Sequence, residues 1–290
     1  MIIGSHVSFT KEQLLGSAKE AVSYGANTFM FYTGAPQNTI RKRIDLTCLE
    51  MAKKYMIQNN IDINHVICHA PYIVNLANRK GEDKWLFSVE FLKSELRRCD
   101  LMGVKYMVLH PGASVGQDKD VARQNIVDGV KKILAENYNC KILFETMALK
   151  GSELGSLEDI HFFLEQLDYQ VGVCLDTCHL NDAGICLEDV DLFFDQIEEK
   201  IGLKNVYCIH LNDSKNECGS KKDRHENIGF GTIGFDVLNK IAHYEKLKEV
   251  PIILETPYVL KEYAPYRFEI AMLKEQVFDE NLLAHVLEHR

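Results

Sequence analysis

The chain has 290 residues, 46% of them hydrophobic, and a formal net charge of −9. No apolar stretch reaches the roughly 18 residues needed to cross a bilayer, and the N-terminus lacks the features of a signal peptide, so we expect a cytoplasmic protein. The acidic balance argues against a generic basic nucleic-acid binder, although acidic metal ligands contribute to that sum and bound divalent ions reverse the local charge. Four of the nine cysteines lie in apolar strand-like runs, which favours buried reduced thiols; they are Cys68, Cys140, Cys174 and Cys208.

Short apolar strands alternate with amphipathic helices along the chain. Strands are predicted at 1–7, 27–32, 65–69, 105–110, 141–145, 171–176, 206–210 and 252–255. Helices are predicted at 11–24, 46–58, 84–102, 118–136, 157–167, 187–199 and 262–277, with a polar loop at 33–43. Eight strands alternating with helices, without a low-complexity linker, predict one TIM (β/α)8 barrel domain over residues 1–290. The alternative is a doubly wound open sheet, which usually carries a glycine-rich phosphate loop after the first strand, and GSHVSF is not one.

Six consecutive predicted strands each end in histidine, aspartate or glutamate. Because the carboxyl ends of parallel strands meet at one face of a barrel, these side chains should converge at its mouth. The alternative for each residue is a helix cap or a solvated loop start. That alternative fails for the set, since caps are mostly Ser, Thr, Asn and Asp. The six residues are His69, His110, Glu145, Asp176, His210 and Glu255.

Three further residues fit a metal cluster at this mouth. His179 follows Asp176 by three residues, and Asp223 and His225 lie in the long loop after the seventh strand. Asp223 and His225 are two residues apart, and in an extended loop side chains at this spacing can both coordinate one ion. Nine ligands, five histidines and four carboxylates, are too many for one tetrahedral zinc and suit two or three ions. Mixed histidine and carboxylate ligation favours zinc, with manganese or iron as substitutes.

The chemistry predicted for such a cluster is phosphoester hydrolysis. Two or three zinc ions activate a bridging water and neutralise the charge on a phosphoryl group during in-line displacement. A central carboxylate such as Glu145 could bridge two ions, and Glu255 could bind one ion and orient the nucleophile. His6 ends the first strand and faces the same mouth, which makes it a candidate to support a metal ligand or contact phosphate.

Several motifs give the chain a family resemblance. They are GSHVS at 4–8, GANTFMFYTGAPQNT at 25–39, HAPY at 69–72, HPG at 110–112, LDTCH at 175–179, HLNDSK at 210–215, DRHENIG at 223–229 and LETP at 254–257. Together they cover essentially the whole chain, and they resemble endonuclease IV, the zinc-dependent apurinic/apyrimidinic endonuclease. The resemblance implies a barrel with three zinc ions that cuts double-stranded DNA 5′ to an abasic site. The expected products are 3′-hydroxyl and 5′-deoxyribose phosphate ends, and removal of blocked 3′ ends is also implied.

The resemblance also implies how the ligands are shared. One ion would be bound by His69, His110 and Glu145, the second by Glu145, Asp176, His210 and Glu255, and the third by His179, Asp223 and His225. All nine positions are intact, with Glu145 and Glu255 as the catalytic residues. The segments TMALKGSELG after Glu145 and LNDAGICL after His179 depart from the family's usual pattern without removing a ligand.

The DNA contacts implied by the resemblance lie on loops after the second and third strands. They match Gln37, Tyr72 and Ile73, and His6 is added as a phosphate contact. Some relatives have arginine at the position of neutral Gln37, and Arg41, Lys42 and Arg43 lie just downstream. No strong sign of an oligomer is present, so we expect a monomer.

Two other functions remain as alternatives. A metal-dependent sugar isomerase or epimerase could use the same barrel, but such enzymes need no third-ion loop, so Asp223 and His225 argue against it. A non-catalytic binder of damaged DNA predicts substitutions among the nine ligands, and none is present.

Overall fold

The computed structural model describes residues 1–289, and its central feature is a barrel of eight parallel strands. Each strand pairs with the next along the chain from β2 to β8, and β8 pairs with β1. The barrel closes between β1 and β2 through a parallel bridge of His6 with Met30. This arrangement confirms the predicted TIM barrel and excludes the open sheet. The strands are β1 (Ile3–Ser5), β2 (Met30–Phe31), β3 (Ile67–His69), β4 (Tyr106–Leu109), β5 (Lys141–Glu145), β6 (Gly172–Asp176), β7 (Val206–His210) and β8 (Ile252–Leu254).

Helices follow the strands, and most of them cover the outside of the barrel. They are α1 (Gln13–Ser23), α2 (Leu46–Gln58), α3 (Asp83–Met102), α4 (Lys119–Leu134), α5 (Leu157–Gln166), α6 (Thr177–Ala183), α7 (Val190–Lys200), α8 (Phe235–Ala242), α9 (Tyr266–Glu275) and α10 (Leu282–Glu288). Phe144 of β5 and Phe163 of α5 illustrate the packing, with ring centroids 4.8 Å apart. None of the helices within residues 1–289 is long and apolar enough to cross a membrane.

The helix boundaries differ from the sequence predictions in a few places. The helix predicted from residue 262 begins at Tyr266, after Pro265, because proline fits the start of a helix and not its interior. Three short helices had no predicted counterpart, namely α6, α8 and α10. His65, predicted to open a strand, instead ends the 3-10 turn Ile63–His65.

The lower layer of the barrel interior is apolar. Seven strands each place one fully buried side chain there: Met30, Ile67, Val108, Leu143, Cys174, Cys208 and Ile253. On β1 the matching position is Gly4, which pairs with Ile253. A Cβ atom at Gly4 would lie 1.9 Å from the backbone oxygen of Thr28, so only glycine allows β1 and the chain before β2 to approach this closely.

Candidate metal centre

The upper layer of the barrel interior lies at the carboxyl ends of the strands and is polar. Each of its members follows a lower-layer residue by two positions, and since side chains alternate along a strand, both point into the barrel. The upper layer contains all six strand-end residues predicted as ligands, together with two residues from the first two strands. Its members are His6, Tyr32, His69, His110, Glu145, Asp176, His210 and Glu255.

The first group of predicted ligands meets at one oxygen of Glu145. The Glu145 Oε2 atom lies 3.2 Å from Nε2 of His69 and 3.0 Å from Nε2 of His110. Ligand atoms of all three residues lie within 4.8 Å of one another. Two imidazoles and one carboxylate at these distances could share one ion.

The second group meets at the other oxygen of the same carboxylate. His210 Nδ1 lies 3.1 Å from Glu145 Oε1, 3.0 Å from Glu255 Oε2 and 3.8 Å from Asp176 Oδ2. Ligand atoms of the four residues again lie within 4.8 Å of one another. Glu145 therefore faces both groups, one oxygen toward each, as a residue that bridges two ions must.

The third group joins α6 to the loop after β7. His179 Nε2 lies 3.1 Å from Asp223 Oδ1, and His225 Nε2 lies 3.7 Å from the same oxygen. Asp176 also faces this group, with its Oδ2 atom 3.8 Å from His225 Nε2. The predicted set lacked Asp176 here, whereas the ligand atoms of Asp176, His179 and His225 lie within 4.8 Å of one another.

The orientation of three imidazoles fits metal binding. In each ring Nδ1 contacts a backbone oxygen: Ala70 for His69 at 2.7 Å, Thr146 for His179 at 2.9 Å and Glu255 for His225 at 3.1 Å. A carbonyl oxygen only accepts, so Nδ1 carries a proton, and Nε2 is the atom that faces the cluster and would bind an ion once deprotonated. The Nε2 atom of His225 is buried and has no hydrogen-bond partner among the described residues.

The buried carboxylates of the cluster are stabilised by positive charge on their neighbours. Burial by itself raises the pKa of Glu145, but His110 and His210 lower it well below its ordinary value. Burial likewise lowers the pKa of His179, but Asp176 and Asp223 raise it well above the usual range. In the chain alone, protons on imidazoles thus balance the buried carboxylates. Bound cations would replace those protons, since metal binding to histidine and carboxylate releases them.

Asn212 is a site residue that the sequence reasoning missed. Its Nδ2 donates to Asp176 Oδ2 at 2.8 Å, and its Oδ1 accepts from the backbone N–H of Glu255 at 2.8 Å. The side chain is fully buried and so links two predicted ligands on strands that are not neighbours. The available signal was the strand period, because Asn212 follows His210 by two residues.

Tyr32 is the second missed residue, and it lies between His6 and His69. Its ring centroid lies 5.1 Å from that of His6 and 4.9 Å from that of His69. Burial, together with the charges of Glu255 and Glu145, raises the pKa of the Tyr32 hydroxyl. Burial lowers the pKa of His6, whose Nε2 is buried without a hydrogen-bond partner among the described residues. His6 therefore belongs to the wall of the site.

Buried carboxylates hold the loop that carries the third group. Asp182 Oδ2 accepts from the backbone N–H of Asp223 at 2.8 Å. Asp213 Oδ2 accepts from the N–H groups of Gly229 and Gly231, both at 3.0 Å. A Cβ atom at Gly231 would lie 2.3 Å from the backbone oxygen of Ser214, so the loop needs glycine there. Asp223 and His225 of the third group are thus held on an anchored loop.

The predicted DNA contacts lie at the rim of the mouth. Gln37 is exposed on the loop after β2, and Tyr72 and Ile73 are 52% and 37% exposed after β3. Arg41, noted as a cation downstream of Gln37, is turned inward. Its Nε lies 3.2 Å from Glu95 Oε1, and its side chain is only 7% exposed. Arg41 therefore holds the loop in shape and offers no free charge to DNA.

Comparison with known proteins gives a family. Residues 18–276 match the family described as xylose isomerase-like TIM barrel. "Probable endonuclease 4" of Bacillus subtilis (strain 168) is 48% identical over 295 residues, covering 99% of each chain. The crystal structure of endonuclease IV from Thermus thermophilus superposes with a TM-score of 0.82 and 27% identity, covering 95% of this chain and 98% of that one.

A more distant structure shares the fold alone. The crystal structure of a D-tagatose 3-epimerase-like protein has a TM-score of 0.65 and 20% identity, covering 100% of this chain and 99% of that one. The resemblance noted in the motifs is confirmed by the closer relatives and by the family match. The chain belongs to the endonuclease 4 family of metal-binding DNA repair hydrolases, built on the xylose isomerase-like TIM barrel.

Proposed function

We propose that the protein hydrolyses the phosphodiester on the 5′ side of abasic sites in double-stranded DNA, leaving 3′-hydroxyl and 5′-deoxyribose phosphate ends. The observation that carries this proposal is the position of Glu145, whose two oxygens face two separate groups of predicted ligands. Multinuclear sites of this kind suit in-line displacement at phosphorus, because both the attacking and the leaving oxygen need stabilisation. Its relatives carry the name endonuclease 4, which supports the same reaction class.

We propose three zinc ions per chain, with manganese or iron as substitutes. Zinc ions in these groups would supply Lewis acidity, generate a nucleophile at neutral pH and neutralise charge on the phosphoryl oxygens. His69, His110 and Glu145 would hold the first ion, and Glu145, Asp176, His210 and Glu255 the second. His179, Asp223 and His225 would hold the third, with Asp176 close enough to contribute.

The two glutamates take different roles in this proposal. The Glu145 side chain is 1% exposed and spans two ligand groups, which suits a bridging carboxylate. The Glu255 side chain is 19% exposed, so one face of it remains accessible from the mouth. An accessible carboxylate beside the reacting phosphate can accept a proton from the attacking water and orient it. Asn212 fixes the backbone of Glu255 and so positions that carboxylate.

DNA recognition would come from the rim. Tyr72 and Ile73 form an exposed apolar pair beside His69, of the type that wedges into a base step and unstacks it. Such a wedge costs least at an abasic site, where one base is already missing, and the flipped nucleotide would then reach the cluster. Gln37 and His6 would contact the backbone. We also propose that the monomer removes blocked 3′ ends, since that reaction needs the same displacement at phosphorus.

The direct test is strand cleavage on a duplex with one tetrahydrofuran abasic analogue, labelled at the 5′ end. We expect one incision beside the analogue with zinc-loaded protein, loss of incision after chelator treatment, and recovery on adding zinc. A duplex of the same sequence without the lesion is the matched control. An intact lesion strand under metal-replete conditions would overturn the endonuclease assignment.

Metal analysis tests the number of ions independently of cleavage. We expect about three zinc ions per chain in protein that has not been treated with a chelator, because three ligand groups are present. One ion or none would contradict the trinuclear arrangement. A sugar isomerase or epimerase, the alternative on the same barrel, predicts interconversion of ketohexoses and no incision. The third group argues against it, because Asp223 and His225 would serve an additional ion.

A further inference from the structure

A pair of cysteines outside the metal centre lies unusually close together. The Sγ atoms of Cys186 and Cys218 are 2.8 Å apart, although the residues are separated by 32 positions in the sequence. Cys186 is exposed in the segment that connects α6 to α7, and Cys218 is partly exposed in the loop after β7. A disulfide bond is about 2.05 Å long, so a small movement of either side chain brings the sulfurs to bonding distance.

Backbone hydrogen bonds hold the loop that carries Cys218 against the end of α6. The N–H of Gly219 donates to the oxygen of Asn181 at 2.9 Å, and the N–H of Lys221 donates to the oxygen of Asp182 at 2.8 Å. Gly184 and Gly219 face each other, and a Cβ atom on Gly184 would already contact the Cα of Gly219 at 3.7 Å. These contacts fix the backbone of the two segments that carry the cysteines.

The exposure of this pair sets it apart from most of the other cysteines. The four cysteines predicted as buried thiols, Cys68, Cys140, Cys174 and Cys208, are buried. An oxidant in solution reaches Cys186 directly, whereas it reaches those four only if the barrel opens.

We propose that Cys186 and Cys218 form a reversible disulfide that fastens the loop after β7 to the end of α6. The oxidant is a peroxide. The Cys186 thiolate attacks one peroxide oxygen, giving a sulfenic acid and, after proton transfer, one molecule of water. The Cys218 sulfur then attacks the sulfenic sulfur and its proton passes to the departing hydroxide, so the S–S bond forms as the S–O bond breaks and the second water leaves. Two thiols and one hydrogen peroxide thus give one disulfide and two waters.

The order of attack follows from the surroundings of the two thiols. Desolvation, together with the hydrogen bond that the Cys218 S–H donates to Cys186, raises the pKa of Cys218 to about 12. Cys218 therefore stays protonated while the more exposed Cys186 reacts first. Cys218 serves as the resolving thiol, already in place when the sulfenic acid appears.

The disulfide would act on the segment that carries the third ligand group. Cys218 lies five residues before Asp223, and α6, which carries His179, ends just before Gly184. Fastening the two segments restrains the loop on the side where those ligands meet. The proposal does not rest on the proposed function, because the bond forms whether or not the protein cuts DNA.

The test uses the full-length zinc-loaded protein and a stoichiometric amount of hydrogen peroxide. We expect the monomer to lose the mass of two hydrogen atoms, peptide mapping to join Cys186 to Cys218, and dithiothreitol to reverse both changes. Cys186→Ser and Cys218→Ser should abolish the cross-link. Cys48→Ser is the matched control, because Cys48 is partly exposed on α2 and outside the pair, and it should leave the cross-link unchanged.

Two further readouts test the structural consequence. The Tm of the oxidised protein should rise by about 5 °C, because the bond restricts the unfolded chain. Amide exchange at Gly219 and Lys221 should slow on oxidation in wild-type protein and stay unchanged in Cys218→Ser. A cross-link between chains, a cross-link mapping to other cysteines, or an unchanged Tm and exchange rate in fully cross-linked protein would overturn the proposal.

Discussion

The lower and upper layers of the barrel interior come from the same strands and differ completely in chemistry. The lower layer is apolar and fully buried, from Met30 on β2 to Ile253 on β8. The upper layer, one step of the strand period further on, holds histidines and carboxylates. The two layers are separated by two residues, or about 7 Å along a strand.

This contrast shows how one sequence pattern specifies both the fold and the site. A slip of one residue in the strand register would turn both layers out of the barrel together, so correct pairing of the apolar layer also positions the ligands. The apolar lower layer also lines the floor of the site. Charges above an apolar floor interact more strongly than in water, which raises the affinity of the cluster for cations.

The largest expected effect comes from changing the upper layer at its shared residue. Glu145→Gln keeps the shape but removes the charge that faces two ligand groups. We expect incision of the tetrahydrofuran duplex to fall by about 10³-fold or more, corresponding to about 4 kcal/mol of lost transition-state stabilisation. Circular dichroism should show a folded barrel, and metal analysis should show fewer ions. Incision within a few-fold of wild type would show that Glu145 does not bridge.

The matching change in the lower layer should affect stability and leave the metal content intact. Leu143 is fully buried two residues before Glu145 on the same strand. Leu143→Ala should lower the free energy of unfolding by about 3 kcal/mol, through lost burial and the cavity left behind. Chemical denaturation of the variant measures this, with Leu143→Met as the volume-conserving control. If Leu143→Ala instead lost zinc while keeping its stability, the separation of the two layers would fail.

A smaller effect is expected from a residue that acts through the ligands. Asn212→Ala removes the donor to Asp176 and the acceptor for the backbone of Glu255. Removing such partners typically costs about 10–100-fold in metal affinity or activity. Competition with a zinc chelator measures the affinity without relying on cleavage. Wild-type affinity in Asn212→Ala would mean that the upper layer is held by the strands alone.

The smallest effect is expected at the rim. Tyr72→Ala removes an exposed ring that the proposal places against DNA, and we expect a loss of about 10-fold in affinity for the abasic duplex. Tyr169→Ala, an exposed change just before β6 at the end of the barrel opposite the mouth, is a matched control for general surface effects. The folded stability should not change, because Tyr72 is half exposed. Equal binding by wild type and Tyr72→Ala would remove the wedge from the proposal.

The sequence was most informative where charge interrupts an apolar run. His110 and Glu255 stand out in this way, although each lies one residue beyond the end of its strand. Tyr32 and Asn212 are uncharged, so they were not recognised, yet both share the strand period of the ligands. Counting two residues on from each buried strand position would have found them.

Other features depend on contacts that no local pattern reveals. Arg41 looked like a free cation because its partner, Glu95, lies 54 residues further along the chain. The short helix α8 lies in a stretch for which the sequence predicted no helix, since eight residues give a weak periodic signal. The proximity of Cys186 and Cys218 likewise depends on how two loops dock, and their spacing matches no known motif.

The closure of the barrel at β1 and β2 has a dynamic consequence. These strands share the single bridge of His6 with Met30, together with a 2.8 Å hydrogen bond from Val7 N–H to the Met30 oxygen. Elsewhere in the described barrel, neighbouring strands share longer ladders, as at β4 and β5. Local opening should therefore begin at this junction, and the Val7 amide should exchange with solvent faster than amides of β5. His6 directly follows β1, and Tyr32 directly follows β2. Local opening of the barrel at this junction would therefore move the part of the site wall that these two side chains form.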